Sequence, residues 1–374
     1  MDTALLCLSL ICLGFLLWEA HTARAARARL AHVVHVNGTR GKSTVSRLIE
    51  AGLREGGVRV FCKTTGTDPM TIDADGCEEL LRRRGKANIK EQIAILRRAA
   101  AQGAQVLVVE CMAITPELQA ASQKDILRAD IGVITNVRRD HTDVMGETLP
   151  QIAHALCHTV PRGGVLFTAE TVVTERLRAA AEKNGSRFVC AVPRGDEGSI
   201  DFPENVALAL AVCEELGVPR ETALAGMRRF SHDPYALSLH RLGNAVFIGG
   251  LSINDIQSIC MVWEKLCAEH GWQDKKLTLL INNRADRGSR TGDMLRVCLT
   301  LRPAEVWLMG ASCGYMKRGL RKKLPDAAVR RIAGWTDIAY ADLREEQVIF
   351  AIGNIADGGR ELMEHVRREG STLV

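Results

Sequence analysis

The stretch that decides the fold is Gly38-Thr39-Arg40-Gly41-Lys42-Ser43-Thr44. It follows a short β-rich run, Ala31 to Val36, and precedes an amphipathic helical pattern from Ser43 to Arg54. Glycines in such a strand-to-helix turn let the backbone wrap around a phosphate, and the free N–H groups at the helix start point at the anion. Lys42 is placed to contact the β- and γ-phosphates, and Ser43 to hold Mg²⁺. The segment therefore predicts a site for ATP and Mg²⁺.

The loop is a variant of the usual phosphate-binding pattern. That pattern has its first glycine at position 36, where this chain has Val36. A plain turn is the alternative interpretation, but a Gly-Lys-Ser sequence between a strand and a helix favours the phosphate site.

Strands and helices alternate downstream of this loop. Apolar runs at Val58 to Cys62, Val106 to Val109 and Ile131 to Thr135 are separated by helical patterns. Such continuous runs indicate a parallel sheet that is covered by helices on both faces. The polar stretch from Lys63 to Arg84 has no clear periodicity, and we expect a long functional loop there.

The alternation continues to about Phe230, where a second α/β unit is expected to follow a linker. The predicted linker runs from Ser231 to Asn244 and contains Asp233-Pro234. We therefore expect an ATP-binding α/β central domain over residues 30–235 and a smaller α/β C-terminal domain over residues 240–374. The strands expected in the second domain are Ala245 to Ile248, Leu277 to Ile281, Val306 to Met309 and Val348 to Ile352.

An apolar, uncharged segment from Thr3 to Trp18 precedes the body of the chain. A rise of about 1.5 Å per residue makes it barely long enough to cross a bilayer. Arg24, Arg27 and Arg29 follow it, and the positive-inside rule keeps the downstream body in the cytoplasm. Residues 1–20 are therefore predicted to be a single-pass anchor in a bacterial cell membrane. A cleaved export signal, which would separate the loop from cellular ATP, and a buried helix are the alternatives.

Composition narrows the possible functions. Aromatic residues make up 4% of the 374 residues, so a nucleic-acid surface built on base stacking is not expected. The formal net charge of +5 is modest, and basic clusters such as Arg82-Arg83-Arg84 suit polyanionic substrates, the anionic inner leaflet or a solvated face. His154 and His158 have the spacing of a metal pair, but no further ligand cluster accompanies them, which disfavours a metal role.

Two polar segments follow strands of the same predicted sheet. Glu110 ends an apolar strand at the edge where open parallel sheets bind ligands, and a carboxylate there can ligate Mg²⁺ directly or through water. The segment Asn136-Val137-Arg138-Arg139-Asp140-His141-Thr142-Asp143 follows the next strand. His141 can ligate a metal or orient a phosphate, while Asp140 and Asp143 can orient the histidine or hold an incoming amine. An ordinary polar strand end and a solvated turn are the alternatives.

These three segments together resemble the Mur ligase superfamily, whose members form amide bonds through acyl phosphates. The family's Gly-Thr-x-Gly-Lys-Ser/Thr loop matches Gly38 to Ser43, its strand-end glutamate matches Glu110, and its Asn-x-x-x-Asp-His-x-Asp segment matches residues 136–143. The resemblance implies a P-loop, Mur-ligase-like α/β fold. It also implies catalytic roles for Lys42, Glu110 and His141, with Mg²⁺ bound by Ser43, Glu110 and His141.

The resemblance extends into the second domain. Arg284-Ala285-Asp286-Arg287, with Arg290, looks like the family's Arg-Asp-rich loop at the nucleotide, and Asn254-Asp255 stands in the place of its His-Asn motif near adenine and ribose. The residues thereby expected to bind ATP are Gly38, Thr39, Arg40, Gly41, Lys42, Ser43, Thr44, Asn254, Arg284 and Arg287.

A narrower resemblance covers nearly the whole chain and points to the ligase subunit of poly-γ-glutamate synthases. It is carried by Asn37 to Arg47, Lys63-Thr64-Thr65-Gly66-Thr67, Glu110-Cys111-Met112-Ala113, Asp140-His141 with Asp143-Val144-Met145-Gly146, Gly353-Asn354-Ile355 and the N-terminal apolar segment. It implies an ATP-dependent ligase that polymerises glutamate through γ-amide bonds. Its implied partners are the growing polymer, other membrane subunits and further copies of the chain.

The substrate is expected to contact two of these segments. Lys63, Thr64, Thr65, Gly66 and Thr67 offer a cation and hydroxyl donors for the acceptor's carboxylates, with a solvated surface loop as the alternative. Asp140 and Asp143 are the expected contacts for the incoming amine.

Two departures from the superfamily limit the resemblance. The carbamylated lysine of many Mur ligases aligns with Leu156, which puts a second, carbamate-held metal in doubt. The chain has no room before the phosphate loop for a nucleotide-sugar domain, which argues against a UDP-linked substrate. A folylpolyglutamate-type ligase, a membrane NTPase that supports polymer export, and a nucleotide-binding structural subunit remain as alternatives.

Overall fold

The computed structural model describes residues 2–66, 68–83, 85, 87–195, 197–231, 236–253, 255–284, 288–338, 343, 345, 347–356 and 358–373. Its internal contacts divide the chain into two compact units, Met1–Asp233 and Pro234–Val374. Each unit is an α/β structure with a largely parallel sheet, so the predicted fold class is confirmed.

Within the described residues, the first unit is built on an eight-stranded sheet. Its strands are β1 (His32–Asn37), β2 (Val60–Lys63), β3 (Met70–Ile72), β4 (Glu78–Leu80), β5 (Val106–Glu110), β6 (Ile131–Ile134), β7 (Val165–Thr168) and β8 (Arg187–Cys190). They lie in the order β4-β3-β2-β5-β1-β6-β7-β8. All neighbours from β2 to β8 in that order pair in parallel, so the strand β1 that leads into the phosphate loop lies between β5 and β6.

Helices cover both faces of this sheet. They are α1 (Asp2–Ala28), α2 (Lys42–Glu55), α3 (Glu91–Ala101), α4 (Pro116–Ala121) with a π-helical continuation (Ser122–Leu127), α5 (Thr142–Met145), α6 (Leu149–Leu156), α7 (Thr174–Lys183), α8 (Pro203–Glu215) and α9 (Arg220–Met227). On one face, α2, α8 and α9 bury an apolar cluster that includes Leu48, Leu210 and Leu224. On the other, α1, α3 and the π-helix bury Ala26 and Leu96 against the sheet. The buried faces explain why the strands are continuously apolar.

The first helix divides into two halves. By length and composition, Thr3–Ala28 is long and apolar enough to cross a membrane. In its first half the large apolar side chains are exposed, with 69% of Ile11 accessible, whereas Ala23 and Ala26 in the second half are buried. The helix therefore continues past residue 20 and packs its last turns on the first unit.

The prediction of one long loop from Lys63 to Arg84 was wrong. Met70–Ile72 and Glu78–Leu80 form an antiparallel hairpin, which adds to β2 at the edge of the sheet. Strands of three residues are too short to carry a period-2 signal, and the second one is fully exposed.

In its described part, the second unit contains a seven-stranded sheet in the order β13-β12-β11-β14-β10-β9-β15. Its strands are β9 (Ser238–Leu242), β10 (Ala245–Gly250), β11 (Lys276–Asn283), β12 (Glu305–Gly310), β13 (Ala328–Arg331), β14 (Gln347–Gly353) and β15 (Ser371–Thr372). Its helices are α10 (Ile256–His270), α11 (Gly288–Leu301), α12 (Cys313–Lys323) and α13 (Gly359–Glu369). The linker prediction was wrong over residues 238–242, because β9 pairs with β10 as a hairpin.

Candidate active site

The phosphate loop joins β1 directly to α2, and two of its glycines adopt conformations that other residues avoid. Gly38 has φ 127° and Gly41 has φ 78°. A Cβ atom at Gly38 would lie 2.1 Å from Thr135 Oγ1, and one at Gly41 would lie 2.8 Å from Asn205 Oδ1. Glycine is therefore required at both positions for the loop to pack against its neighbours and still curl around a ligand.

The polar side chains of the loop turn inward over it. Lys42 Nζ donates to the carbonyl oxygens of Gly38 at 2.9 Å and Thr39 at 3.3 Å, so the ammonium lies over the loop. Ser43 Oγ donates to Glu110 Oε2 at 2.8 Å, and Thr44 is half-buried in the first turn of α2. Exposed backbone N–H groups, an ammonium and a hydroxyl are the donor set that a nucleotide triphosphate requires.

Glu110 is the last residue of β5, and the strand order brings it next to the phosphate loop. Its side chain is 3% exposed, and Oε2 accepts hydrogen bonds both from Ser43 and from the Thr65 N–H at 2.7 Å. Oε1 accepts none from the described residues. A carboxylate oxygen beside a serine hydroxyl is a ligand pair suited to Mg²⁺. The carboxylate thus joins the phosphate loop to the loop that begins at Thr64.

The segment after β6 is tied to the phosphate loop by a network of hydrogen bonds and an ion pair. Arg40 N donates to Asn136 Oδ1 at 3.1 Å, and Arg138 N donates to Thr39 Oγ1 at 3.0 Å. Arg40 also forms an ion pair with Asp140 at 3.1 Å. Two segments that are about a hundred residues apart in sequence therefore form one surface at the carboxyl edge of the sheet.

His141 is held at the rim of this surface by an unusual backbone conformation. It lies in the left-handed region, with φ 48°, directly before α5, where a non-glycine residue carries strain. Its side chain is 27% exposed, and Nε2 lies 3.7 Å from Asp140 Oδ2. Asp143, in the first turn of α5, is exposed. The imidazole is thus partly accessible beside Asp140, the residue that pairs with Arg40 of the phosphate loop.

The side chains of the described residues do not by themselves form a complete metal site. Over the described ranges, no three His, Cys, Asp or Glu side chains come together in a way that could hold a metal ion. Ser43, Glu110 and His141 would therefore need phosphate or water oxygens to complete a coordination shell, which is usual for Mg²⁺ at a nucleotide.

Lys63 lies beneath the site rather than on its surface. The side chain is fully buried, and Nζ lies 2.8 Å from Glu91 Oε1. Burial lowers the pKa of Lys63, while the hydrogen bond and charge of Glu91 oppose the shift. Lys63 is therefore not part of a solvated surface loop, and its buried ammonium is not on the surface where an acceptor carboxylate was expected to meet it. Thr64 is also buried, Gly66 is exposed, and Thr67 lies outside the described residues.

Glu91 is a site residue that the sequence did not reveal. It begins α3, and its second oxygen accepts from Arg83 Nε at 2.6 Å. Burial raises the pKa of Glu91, but the hydrogen bonds from Arg83 and Lys63 outweigh it and lower the pKa overall. A glutamate at a helix start is a common capping residue, so only the pairing with a buried lysine distinguishes it.

The predicted residues of the second unit are only partly described. Arg284 directly follows β11, at the carboxyl end of a buried parallel strand, and is half-buried. Asn254 and Arg287 lie outside the described residues. Asp255 caps α10 through a hydrogen bond from the Ser258 N–H at 2.8 Å. Leu156 in the first unit is fully buried in an apolar cluster, so no polar ligand occupies that position.

Comparisons with known proteins match both units. The model of the Mur ligase middle domain matches residues 36–201, and that of the poly-gamma-glutamate synthase CapB C-terminal domain matches residues 235–369. Capsule biosynthesis protein CapB of Bacillus anthracis is 31% identical over 386 residues, which cover 96% of this chain and 82% of that protein. The chain belongs to the CapB family of poly-gamma-glutamate synthases. A second member, PGA synthase CapB of Bacillus subtilis (strain 168), is 33% identical over 356 residues, or 89% of each chain.

Solved structures of other ligases share the fold of this CapB-family chain. A bifunctional folylpolyglutamate synthase/dihydrofolate synthase of Yersinia pestis, complexed with AMPPNP and Mn ion, aligns with a TM-score of 0.69 and 16% identity over 93% of this chain and 92% of that one. A folylpolyglutamate synthase of Mycobacterium tuberculosis, complexed with ADP, aligns with a TM-score of 0.68 and 16% identity over 92% and 93%. At these identities the likeness establishes the Mur-ligase-like fold.

Proposed function

We propose that this chain is an ATP-dependent ligase that joins glutamate units through γ-amide bonds by way of an acyl phosphate. The observation that carries the proposal is the hydrogen bond between Ser43 of the phosphate loop and Glu110 of the neighbouring strand, in a chain whose curated relatives include a PGA synthase. A carboxylate oxygen of the acceptor takes the γ-phosphoryl group of ATP. The amine of the incoming glutamate then attacks the acyl carbon, and phosphate leaves with that carboxylate oxygen.

The phosphate loop is proposed to bind ATP through Gly38, Thr39, Arg40, Gly41, Lys42, Ser43 and Thr44. Lys42 supports this assignment because its ammonium already lies over the loop, 2.9 Å from the Gly38 carbonyl. A cation at that point neutralises the charge that spreads over the transferring phosphoryl oxygens. Its contribution is realised in the transition state, so we expect it to govern the rate more than the affinity.

Ser43 and Glu110 are the proposed Mg²⁺ ligands, with His141 as a ligand to the metal or to a phosphate. Support comes from Glu110 Oε1, which accepts no hydrogen bond from the described residues, while Oε2 is held by Ser43 and Thr65. When bound, Mg²⁺ would supply positive charge to the phosphate oxygens. The exposed imidazole of His141 suits a ligand that arrives with substrate.

The acceptor is proposed to bind along Thr64, Thr65, Gly66 and Thr67. Thr65 supports this assignment because its backbone already contacts Glu110, which brings the loop to the phosphoryl site. Lys63 would act from below as a buried positive charge under this loop. Asp140 and Asp143 are the proposed contacts of the incoming amine, since both lie beside His141.

The second unit is proposed to contact the nucleotide through Asn254, Arg284 and Arg287. The position of Arg284 directly after a parallel strand supports a role at a ligand site, because such edges bind ligands in α/β sheets. Arginines that close on the nucleotide would also exclude the water that hydrolyses an acyl phosphate.

The location and the partners form part of the same proposal. The exposed apolar half of α1 supports a single-pass anchor with the catalytic body on the cytoplasmic side. A polymer made at the membrane surface would need membrane subunits to pass it on. Further copies of the chain are also proposed, since a long polymer has to be held while it grows.

One assay separates this function from its alternatives. The full-length protein in lipid vesicles receives ATP, Mg²⁺ and labelled glutamate, and released phosphate and labelled polymer are both measured. We expect phosphate release that depends on glutamate, together with γ-linked polymer. Glutamate-independent ATP hydrolysis without polymer would instead identify a membrane NTPase. Incorporation only in the presence of a folate acceptor would identify a folylpolyglutamate-type ligase, the activity named for the solved structures of similar fold.

A further inference from the structure

Contacts at the two edges of the first sheet set the direction of α1. At the carboxyl edge, Lys90 Nζ donates to Glu19 Oε2 at 3.0 Å. Lys90 directly precedes α3, whose first residue Glu91 pairs with Lys63 at the carboxyl end of β2. The N-terminal part of the docked half of α1 therefore lies at the edge that bears the phosphate loop.

The last turns of α1 lie at the opposite edge of the sheet. Arg27 Nη2 donates to Asp130 Oδ1 at 2.9 Å, and Asp130 directly precedes β6. Arg27 is eight residues beyond Glu19, which corresponds to about 12 Å along a helix. The helix thus runs antiparallel to the strands, from their carboxyl edge to their amino edge.

The docked half of α1 belongs to the folded unit rather than to a loose linker. The Arg97 guanidinium lies 5.0 Å from the centre of the Trp18 ring and donates to the Glu19 carbonyl at 3.3 Å. Ala23 and Ala26 are 5% and 7% exposed. Packing and polar contacts on one continuous helix fix its direction relative to the sheet.

The apolar half of α1 begins where the helix passes the carboxyl edge. Glu19 is bonded at that edge, and no charged residue occurs from Trp18 back to Thr3. This stretch is about 24 Å long at helical rise, and it projects away from the sheet beyond the edge. Tryptophan is typical of the membrane–water boundary, which places that boundary within roughly one helical turn of the edge.

The surface of the same edge has the composition expected next to lipid. Outside α1, the exposed large apolar side chains in the described part of the first unit are Leu80, Ile114, Leu118, Val144, Val172 and Val192. Five of them follow the carboxyl ends of β5, β6, β7 or β8, and Leu80 pairs with Met70 beside the end of β2. Exposed Lys90 lies at the point where α1 becomes apolar, and exposed Arg82 follows β4. Such a mixture suits an anionic headgroup layer.

We propose that the carboxyl edge of the first sheet, which bears the phosphate loop and Glu110, faces the lipid headgroup layer. Because α1 packs on the first unit, it fixes this orientation and the distance between the carboxyl edge and the bilayer. The inference rests on the proposed function only in that α1 spans the membrane. If the chain is also the proposed ligase, the polymer grows at the bilayer surface, on the side of the enzyme that is turned towards the lipid.

The test compares the two edges of the sheet in the full-length protein, reconstituted in anionic phospholipid vesicles. An environment-sensitive fluorescent amino acid replaces Leu118 at the carboxyl edge or, as the matched control, exposed Ala101 at the amino edge, where α3 ends. The vesicles carry a quencher on the lipid headgroup. We expect quenching at residue 118 to exceed that at residue 101 at least threefold. Equal quenching, or stronger quenching at residue 101, would overturn the orientation.

A third probe separates the orientation from the anchor. The fluorescent residue at Leu10, with the quencher on the acyl chain, reports whether α1 is inserted. Quenching there is required, and its absence would overturn the anchor and the orientation together. The labelled-glutamate assay on the same vesicles decides the ligase activity separately, since an active enzyme with equal quenching at both edges would contradict the orientation alone.

Discussion

Glu110 and Glu170 are two buried glutamates at the carboxyl ends of strands in one sheet, yet they are bonded in different ways. Glu170, two residues after β7, uses both oxygens for backbone N–H groups: Val137 at 2.7 Å, and Val172 and Val173 at 2.6 and 3.3 Å. Among the described residues, Glu110 accepts hydrogen bonds on one oxygen only, from Ser43 and Thr65.

The difference identifies which carboxylate is available for chemistry. A glutamate with both oxygens saturated by backbone donors holds two loops together, and a cation would have to displace those bonds. Glu110 keeps one oxygen that accepts no hydrogen bond from the part of the chain that is described, beside the phosphate loop where the proposed Mg²⁺ would bind. Both are buried near the carboxyl end of a parallel strand, so the hydrogen-bond partners distinguish their roles.

The largest effect is expected at Lys42, on the catalytic side of the comparison. Lys42→Ala should lower the kcat for polymer formation about 10³-fold, or about 4 kcal/mol, because the transferring phosphoryl group loses its cation. The melting temperature should stay nearly constant, since among the described residues the ammonium bonds only to carbonyls of its own loop. Rates from labelled-glutamate incorporation check this, with exposed Lys183→Ala as the control. A similar loss in both variants would argue against a specific role for Lys42.

The next largest effects are expected at Glu110 and Glu170. Substitution of Glu110 should change activity, whereas substitution of Glu170 should change stability. Glu110→Gln should reduce kcat about 10²-fold, roughly 3 kcal/mol, with little change in stability. Glu170→Gln should leave kcat within about threefold but reduce the free energy of unfolding by about 2 kcal/mol, because an amide nitrogen then faces buried N–H donors. Parallel measurements of kcat and chemical denaturation decide the matter. If both variants lost stability and kept activity, Glu110 would be structural too.

The sequence predicted the framework of this site for a physical reason. The phosphate loop, Glu110 and His141 each follow a buried parallel strand, and strand order brings such ends to one edge. The predicted role of Glu110 came from its place in a motif, whereas no motif in the sequence singles out Glu170. Glu91 and the burial of Lys63 were missed because a lysine–glutamate pair 28 residues apart leaves no periodic signal.

The short strands were missed for a related reason. Met70–Ile72, Glu78–Leu80 and Ser238–Leu242 are each stabilised by pairing with a neighbour rather than by their own patterning. Long apolar strands such as β5 and β14 are buried on both faces, so their composition alone identified them.

Glu91 is a third carboxylate near the site, and it pairs with buried Lys63 beneath the loop that begins at Thr64. Glu91→Gln removes the counter-charge of buried Lys63, and we expect the free energy of unfolding to fall by up to about 3 kcal/mol. The KM for the acceptor should rise as the Thr64 loop loses its support. Chemical denaturation and acceptor titrations check both.

The control for Glu91 is Glu79→Gln, which disrupts an ion pair with Arg98 at 2.7 Å in which the carboxylate is 59% exposed. Solvent screening should keep that effect within about 0.5 kcal/mol. Equal losses in the two variants would mean that the burial of the Lys63 pair has no energetic consequence.

The last effect is a pH dependence at His35, a fully buried residue of β1. Burial lowers the pKa of His35 to about 4, against the hydrogen bond to Gln123. The folded state therefore binds fewer protons than the unfolded chain, so stability is present above about pH 6.5 and is lost as the pH falls towards 4. By pH 5 the loss should be about 2 kcal/mol.

His35→Gln should remove this slope while it keeps a polar partner for Gln123. Melting temperatures of the detergent-solubilised full-length proteins between pH 7 and 5 test it, and the wild type should lose several degrees more than the variant. Parallel slopes for the two proteins would show that His35 does not titrate as a buried neutral group.

If the phosphate loop activates a carboxylate as an acyl phosphate, one oxygen atom passes from the acceptor carboxylate to the released phosphate, and this transfer can be measured. An oligoglutamate acceptor labelled with ¹⁸O in its terminal carboxylates is incubated with the full-length enzyme, ATP, Mg²⁺ and glutamate, and the released phosphate is analysed by mass spectrometry. We expect one ¹⁸O atom in each phosphate that accompanies an amide bond, and release of labelled phosphate about 10³-fold slower from Lys42→Ala. Phosphate without ¹⁸O during active polymer formation would contradict activation of the carboxylate as an acyl phosphate.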